Sequence, residues 1–263
     1  MAKTEEKALF VIEDEIKDLS VFAVEEGQEE HLSQDELEMP FLKLAQDGTK
    51  EAKRGKPESI EGLEPGLFFN TVSGEIYGEA LKFQVHGYFH KYNIWKGPKG
   101  NGAYQGSMTT EEFRAFEKAE SLVRDGGDMI HVDGNKDIRY TDTHSFIITL
   151  PEFPDAGLMV YPLSSTGCKV ARRWNSLNTN RRLPGGGAAK RYATIWDLKA
   201  DSFTSNDGFD YKQVSTIKPL GWATPELSNL GKSLEPFVDS IKSQGVKFDD
   251  DGTETLPAED SDF

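Results

Sequence analysis

The sequence predicts a mainly β fold with a few helices and acidic segments at both ends. Residues 80–95 read ALKFQVHGYFHKYNIW, and their apolar and polar side chains alternate as in a half-buried strand. Residues 144–150 read HSFIITL, which is apolar enough for a strand inside the core. The two ends are rich in acids and poor in apolar residues, so neither is expected to form a core of its own.

Charge divides the chain into an acidic N-terminal arm (1–38), a folded body (39–245) and a disordered acidic tail (246–263). The first forty residues hold thirteen acids and three bases, whereas residues 82–199 hold twelve acids and seventeen bases. The net charge of −15 therefore says little about a partner, because the middle of the chain is basic.

The β part begins with strands at 67–69 and 76–77, joined by a glycine turn. The long strand 80–95 places Leu81, Phe83 and Val85 on one face, with Lys82, Gln84 and His86 on the other, and the alternation continues less regularly through Tyr88, His90 and Tyr92. Gly87 marks a bend, and a long bent strand is typical of a small barrel. Further strands are expected at 129–132, 141–150 and 157–163.

Helical spacing predicts a helix from Thr109 to Val123 that ends at Gly126 and Gly127, and a second from 166 to 180. A hairpin of strands 192–203 and 211–219 follows, with Trp196 and Phe203 as core candidates. The body closes with a helix over 225–244.

The sequence offers little support for catalysis. The single cysteine, Cys168, excludes an internal disulfide, fits a reducing cytoplasm and is expected to be a small buried filler. His86 and His90 lie four residues apart on a predicted strand and lack helical metal-ligand geometry, and Asp137 and Asp142 are assigned to turns. We therefore expect no enzyme, metal or cofactor, and no stretch is apolar enough to span a membrane.

Aromatic strands beside basic loops instead favour a site for single-stranded nucleic acid, where bases stack on rings and cations follow the phosphates. Residues 166–196 sharpen this prediction, since they hold seven bases and no acid. The predicted DNA contacts are Lys91, Tyr92, Trp95, Lys96, Lys99, Tyr104, Lys169, Arg172, Arg173, Arg181, Arg182, Lys190, Arg191 and Tyr192.

The tail ends in EDSDF, and the body contains MPFLKLAQ, PGLFFNTVSGEIYG and KVARRWNSL. With these features the chain resembles the single-stranded DNA-binding proteins of tailed bacteriophages. The resemblance implies a five-stranded OB-fold barrel with the helix 166–180 between its third and fourth strands. It also implies that the tail competes with DNA for the groove and recruits a polymerase, helicase or recombinase through Asp260, Asp262 and Phe263. The N-terminal arm and the helix 109–123 are additions to such a barrel.

Two alternatives remain at this point. An acidic protein that mimics DNA and binds a host enzyme predicts contiguous acid on the folded body, and a metal-dependent nuclease predicts carboxylates converging in a cleft. The role of the N-terminal arm is also open, because it either packs on the barrel or joins two copies in a homodimer.

Overall fold

The computed structural model describes residues 39–97, 102–125, 129–205, 208 and 210–244. The N-terminal arm and the acidic tail lie outside these ranges. The strands are β1 Leu42–Leu44, β2 Phe68–Asn70, β3 Ile76–Gly78, β4 Ala80–Lys96, β5 Ala103–Thr109, β6 Leu122–Asp125, β7 Met129–Val132, β8 Asn135–Thr149, β9 Met159–Ser164, β10 Thr194–Thr204 and β11 Asp210–Trp222. The helices are α1 Thr110–Ala119, α2 Gly167–Thr179, α3 Pro225–Ser233 and α4 Glu235–Gln244.

The fold is built on two long antiparallel strands, β4 and β8, which pair along almost their whole length. Strand order in the large sheet is β11-β10-β4-β8-β7-β6, with β5 added to β4 and β9 added to β8. The sheet curls into a half-barrel, which confirms the mainly β prediction. Eight strands replace the expected five, because strands of 17 and 15 residues each carry different partners at their two ends.

The main core fills the concave side of this sheet. α2 lies there, and its Trp174 ring stacks on Phe146 at 3.9 Å between ring centroids and meets Phe83 edge-on. The small antiparallel sheet β1-β2-β3 adds Leu42 and Phe68 to the same cluster. Seven of the nineteen buried residues of this cluster are aromatic, and each large ring removes much apolar surface from water.

Two helices cover other parts of the sheet. α4 packs on its convex face, where Val238 and Ile241 contact the cluster of Phe89 and Ile147. α1 packs at the far end, where Phe113 lies against residues from β4, β5, β7 and β8. None of the helices within the described ranges is long and apolar enough to cross a membrane.

Most predicted elements are confirmed, including α2, the glycine turn between β2 and β3, the β10–β11 hairpin and the burial of Cys168 and Trp196. Three predictions were wrong, and each has a physical reason. α1 ends at Ala119, because Leu122–Asp125 pairs with β7 as a strand. The predicted last helix is divided at Leu234, just before Pro236, which has no amide hydrogen to continue the ladder. Phe203 is 37% exposed, because the β10–β11 hairpin extends beyond the last residue that β4 pairs with.

Candidate functional site

A β-bulge in β4 decides which side chains face the concave side of the sheet. Val85 pairs with Ile148 and Gly87 pairs with Ile147, so His86 is an extra residue without its own partner on β8. Phe83 and Val85 face the core before the bulge, and Tyr88 packs against that same core after it. Strict alternation would have turned Tyr88 to the opposite face, so the bulge reverses the orientation of every later side chain in the strand.

Five side chains of β4 and β8 form what we call the inner-face strip: Tyr88, His90, Tyr92, Asp142 and His144. His90 lies directly opposite His144, and Tyr92 directly opposite Asp142. The strip lies between the main core and the cluster under α1, and its polar character interrupts an otherwise apolar surface.

The rings of the strip form a nearly continuous stack. His90 lies on His144 at 4.2 Å between ring centroids with planes 11° apart, while Tyr92 and His90 are 5.4 Å apart and Tyr88 and His144 are 6.0 Å apart. One face of Tyr92 is already covered by Phe113 of α1 at 3.6 Å. The strip therefore offers polar ring edges and partly exposed rings.

Two arginines flank the strip on the side of α2. The Arg191 guanidinium lies over the Tyr88 ring, 5.3 Å from its centroid, and donates a hydrogen bond to Asn175 Oδ1 of α2 at 3.1 Å. Arg172 of α2 is exposed and close enough to help lower the pKa of the Asp142 carboxyl. Arg191 therefore lies on an aromatic side chain and Arg172 lies near the carboxylate of the strip, and a cation on an aromatic ring is what the sequence predicts for a nucleic-acid site.

Hydrogen bonds set the charges within the strip. Burial works against ionisation of Asp142, but the hydrogen bond and charge of His90, with the charges of His144 and Arg172, hold the pKa of that carboxyl below its usual range. Burial, reinforced by His90, lowers the pKa of His144 to about 4, although Asp142 acts in the opposite direction. At neutral pH the strip therefore holds an ionised carboxylate beside a neutral imidazole.

Several predicted contacts lie on the other face of the sheet. Trp95 is buried and meets Tyr104 edge-on at 5.5 Å, so its ring offers little free surface for stacking. Lys91 lies over the Phe89 ring on the side covered by α4. Tyr192 packs against Gly231 of α3, at a distance where any Cβ on that glycine would collide with the ring.

The basic residues of 166–196 have different partners in the structure. Lys190 is ion-paired with Glu235 of α4 at 2.9 Å, and Arg181 lies over Trp222, 4.5 Å from the ring. Arg182 donates to the carbonyls of Thr179 and Arg181, next to the C-terminus of α2. Each of these three cations therefore has partners outside the inner-face strip.

The exposed side of α2 carries the remaining cations. Arg173 is exposed there, and Lys169 lines a groove together with Arg172. Phe203 and Tyr211 form the opposite wall of this groove. Their rings are stacked 5.9 Å apart, so the groove continues the combination of aromatic and basic side chains.

The remaining candidates lie at or beyond the edges of what is described. Lys96 is exposed at the end of β4. Lys99 lies outside the described residues, and so do Asp260, Asp262 and Phe263 of the tail. Their predicted roles stay predictions.

Of the five strip residues only Tyr92 is among the predicted DNA contacts, and Tyr88, His90, Asp142 and His144 are not. Asp142 was placed among turns although the predicted strand 141–150 contains it, and the structure puts it in β8, where it pairs with Tyr92 of β4. The only signal in the sequence was the polar and aromatic spacing of 88, 90 and 92 beside 142 and 144, which shows the period of a strand but not its partner.

Fold and site together define a β-rich protein with a curled sheet, whose concave side carries an aromatic strip flanked by arginines. The chain belongs to the Pam3 phage gp34-like protein family, whose model matches residues 14–247, and this places it among phage proteins. Comparison with curated proteins and with solved structures returned no match.

Proposed function

We propose that this phage-family protein binds single-stranded DNA without sequence preference, as a binding protein rather than an enzyme. The observation that carries the proposal is the inner-face strip, where Arg191 lies over the Tyr88 ring, Arg172 lies near Asp142, and the rings of Tyr88, His90 and Tyr92 are partly exposed. Stacking of a base on an exposed ring contributes ~1–3 kcal/mol, and cations beside the rings attract the phosphates. The groove of α2 and the β10–β11 hairpin extends the strip and gives the strand a path past Lys169.

The acidic tail completes the proposed mechanism. Its acids screen the basic groove when DNA is absent, and a polyphosphate displaces them because it contacts more cations and releases counterions. The freed tail then recruits a polymerase, helicase or recombinase through Asp260, Asp262 and Phe263, and the protein protects single strands during replication and recombination in the host cytoplasm. By linkage, removal of the tail tightens DNA binding.

The nuclease alternative receives less support from the site. Among the described residues, the one group of three side chains with metal-ligating atoms in reach of each other contains a single carboxylate, Asp142. A nuclease of the predicted kind uses several converging carboxylates to hold its metal ions.

The test is fluorescence anisotropy with a labelled dT oligonucleotide and a duplex control at two salt concentrations. Full-length protein is compared with a chain truncated after Val246. Tight, salt-sensitive binding to the single strand, strengthened by truncation, supports the proposal. If neither chain binds the oligonucleotide, the proposal is wrong, and the acidic DNA-mimic alternative becomes the one to pursue.

Matched variants locate the site. The double variant Arg172→Gln with Arg191→Gln removes the two cations that flank the strip. The control double variant, Lys53→Gln with Arg54→Gln, removes the same charge from an exposed loop that is distant in sequence from both arginines. Loss of binding in the first pair alone assigns DNA to the strip, whereas equal losses in both pairs would refute that assignment.

A further inference from the structure

Three side chains of the strip bring ligand atoms close together. His90 Nε2 lies 2.5 Å from Asp142 Oδ1, and His144 Nε2 lies 3.7 Å from the same oxygen. All three ligand atoms lie within 4.8 Å of one another. We propose that His90, Asp142 and His144 bind one divalent first-row transition-metal ion such as Zn²⁺. This inference goes beyond the proposed function and does not depend on DNA binding.

The register of β4 and β8 builds this cluster. His90 and His144 are a directly opposed pair, and Asp142 lies two residues before His144 on the same face of β8. Opposed side chains on neighbouring strands have their Cβ atoms about 4.5–5.5 Å apart, which suits three ligands to one ion. The pair lies between two apolar clusters, so the backbone positions of the ligands are fixed by packing on both sides.

The donor set selects the kind of metal. Two imidazole nitrogens and one carboxylate oxygen suit zinc and its neighbours, whereas magnesium and calcium prefer oxygen ligands alone. The His90 and Asp142 side chains retain 24% and 28% of their exposure, so the cluster opens toward solvent. A water molecule or a partner atom would occupy the fourth position of a tetrahedral ion.

A hydroxyl beyond the cluster orients one of the ligands. Tyr88 Oη lies 2.7 Å from His144 Nδ1. When Nδ1–H donates to this hydroxyl, the lone pair of His144 is on Nε2 and points toward Asp142. Outer partners of this kind fix the tautomer and ring orientation of metal-binding histidines.

Binding requires one local rearrangement. The two imidazole planes are 11° from parallel, and an ion lies near the plane of each ring that binds it. One ring must therefore turn, and the hydrogen bond from His90 to Asp142 must give way to the metal. His90 is the ring with room to turn, because its side chain is partly exposed whereas His144 is buried.

The test is a titration of untagged full-length protein, first stripped with a chelator, with Co²⁺ followed by visible absorbance and with Zn²⁺ by calorimetry. We expect one ion per chain, a Co²⁺ ligand-field band with nitrogen ligands, displacement by Zn²⁺, and no comparable binding of Mg²⁺. Absence of saturable binding by the wild-type protein at micromolar Zn²⁺ would overturn the proposal without any variant.

Variants assign the ligands. Asp142→Asn and His144→Gln should each weaken Zn²⁺ binding by at least about tenfold, and Tyr88→Phe should weaken it by a smaller factor. His86→Gln is the matched control, since it removes an imidazole from the same strand outside the cluster, and circular dichroism checks that each variant is folded. If Asp142→Asn and His86→Gln bind Zn²⁺ as tightly as wild type, the ion is bound elsewhere and the assignment is wrong.

Discussion

Beyond the bulge, the two faces of the β4–β8 pair differ in burial and in polarity. On the convex face, Phe89 and Ile147 are buried under Val238 and Ile241 of α4. On the concave face, the strip residues contact one another, and all of them except the buried His144 stay partly exposed. The same two strands thus carry one face that packs against α4 and one face on which the polar strip lies between two apolar clusters, because side chains alternate along each strand.

This difference has a measurable consequence. Changes on the convex face should alter the free energy of unfolding and leave ligand binding by the folded protein unchanged. Changes of the exposed cations beside the strip on the concave face should alter binding and leave the unfolding free energy nearly constant. The following predictions test that separation, starting with the largest expected effect.

Ile147→Ala should lower the free energy of unfolding by about 2–5 kcal/mol, because the side chain is fully buried and its removal leaves a cavity under α4. Chemical denaturation measures the loss, and the folded variant should bind the dT oligonucleotide as wild type does. A loss below about 1 kcal/mol would contradict the packing of α4 on this face.

Acid should destabilise the protein through His86, which is the extra residue of the bulge after which the side chains of β4 change faces. Burial lowers the pKa of His86 to about 4 in the folded chain, against 6.5 as its ordinary value. Between these two pKa values His86 is protonated in the unfolded chain but neutral in the folded chain. Its contribution to the free energy of unfolding is therefore fully present above pH 6.5 and falls as the pH drops toward 4.

The lowered pKa of His86 corresponds to a loss of about 3 kcal/mol in the free energy of unfolding between pH 6.5 and pH 4. Denaturation of wild type and His86→Gln at a series of pH values isolates the contribution, because all other titrating groups are common to both. Parallel stability curves for the two proteins would show that His86 is not responsible.

Gly87→Ala should cost about 1–3 kcal/mol by overpacking the convex face. An added Cβ would lie 2.6 Å from Val238 Cγ1 and 3.0 Å from Ile147 Cδ1, which is closer than real contacts allow. The double variant with Val238→Ala should recover part of the loss, since it removes the colliding methyl groups. Additive losses in this double-mutant cycle would exclude the steric explanation.

Arg172→Gln on the concave side should have the smallest effect on stability, within about 0.5 kcal/mol, because the side chain is exposed. Its effect should be seen in DNA binding, where loss of one phosphate contact lowers the slope of log K against log salt by about 0.7. An unchanged slope with a lower unfolding free energy would assign Arg172 to packing instead of binding.

Local patterns in the sequence were sufficient for elements whose signals lie within a few residues. α2 was predicted within a residue at each end, because the spacing of its apolar residues is helical. The division before α4 was missed, although Pro236 is a residue that commonly interrupts a helix. The extra strands could not be predicted from the sequence, because a short segment next to a turn forms a strand only when a partner strand lies beside it. Leu122–Asp125 is such a segment, and its partner is β7.

The sequence by itself determined the mainly β class, the buried rings of the core and the basic character of α2, because hydrophobic period and charge are local properties. The tertiary structure decided which face Tyr88 and His90 occupy, because the bulge at His86 reverses the alternation. It also decided that His90 meets His144, 54 positions further along the chain. That meeting depends on strand register, which is set by long-range pairing and has no local signal in the amino-acid sequence.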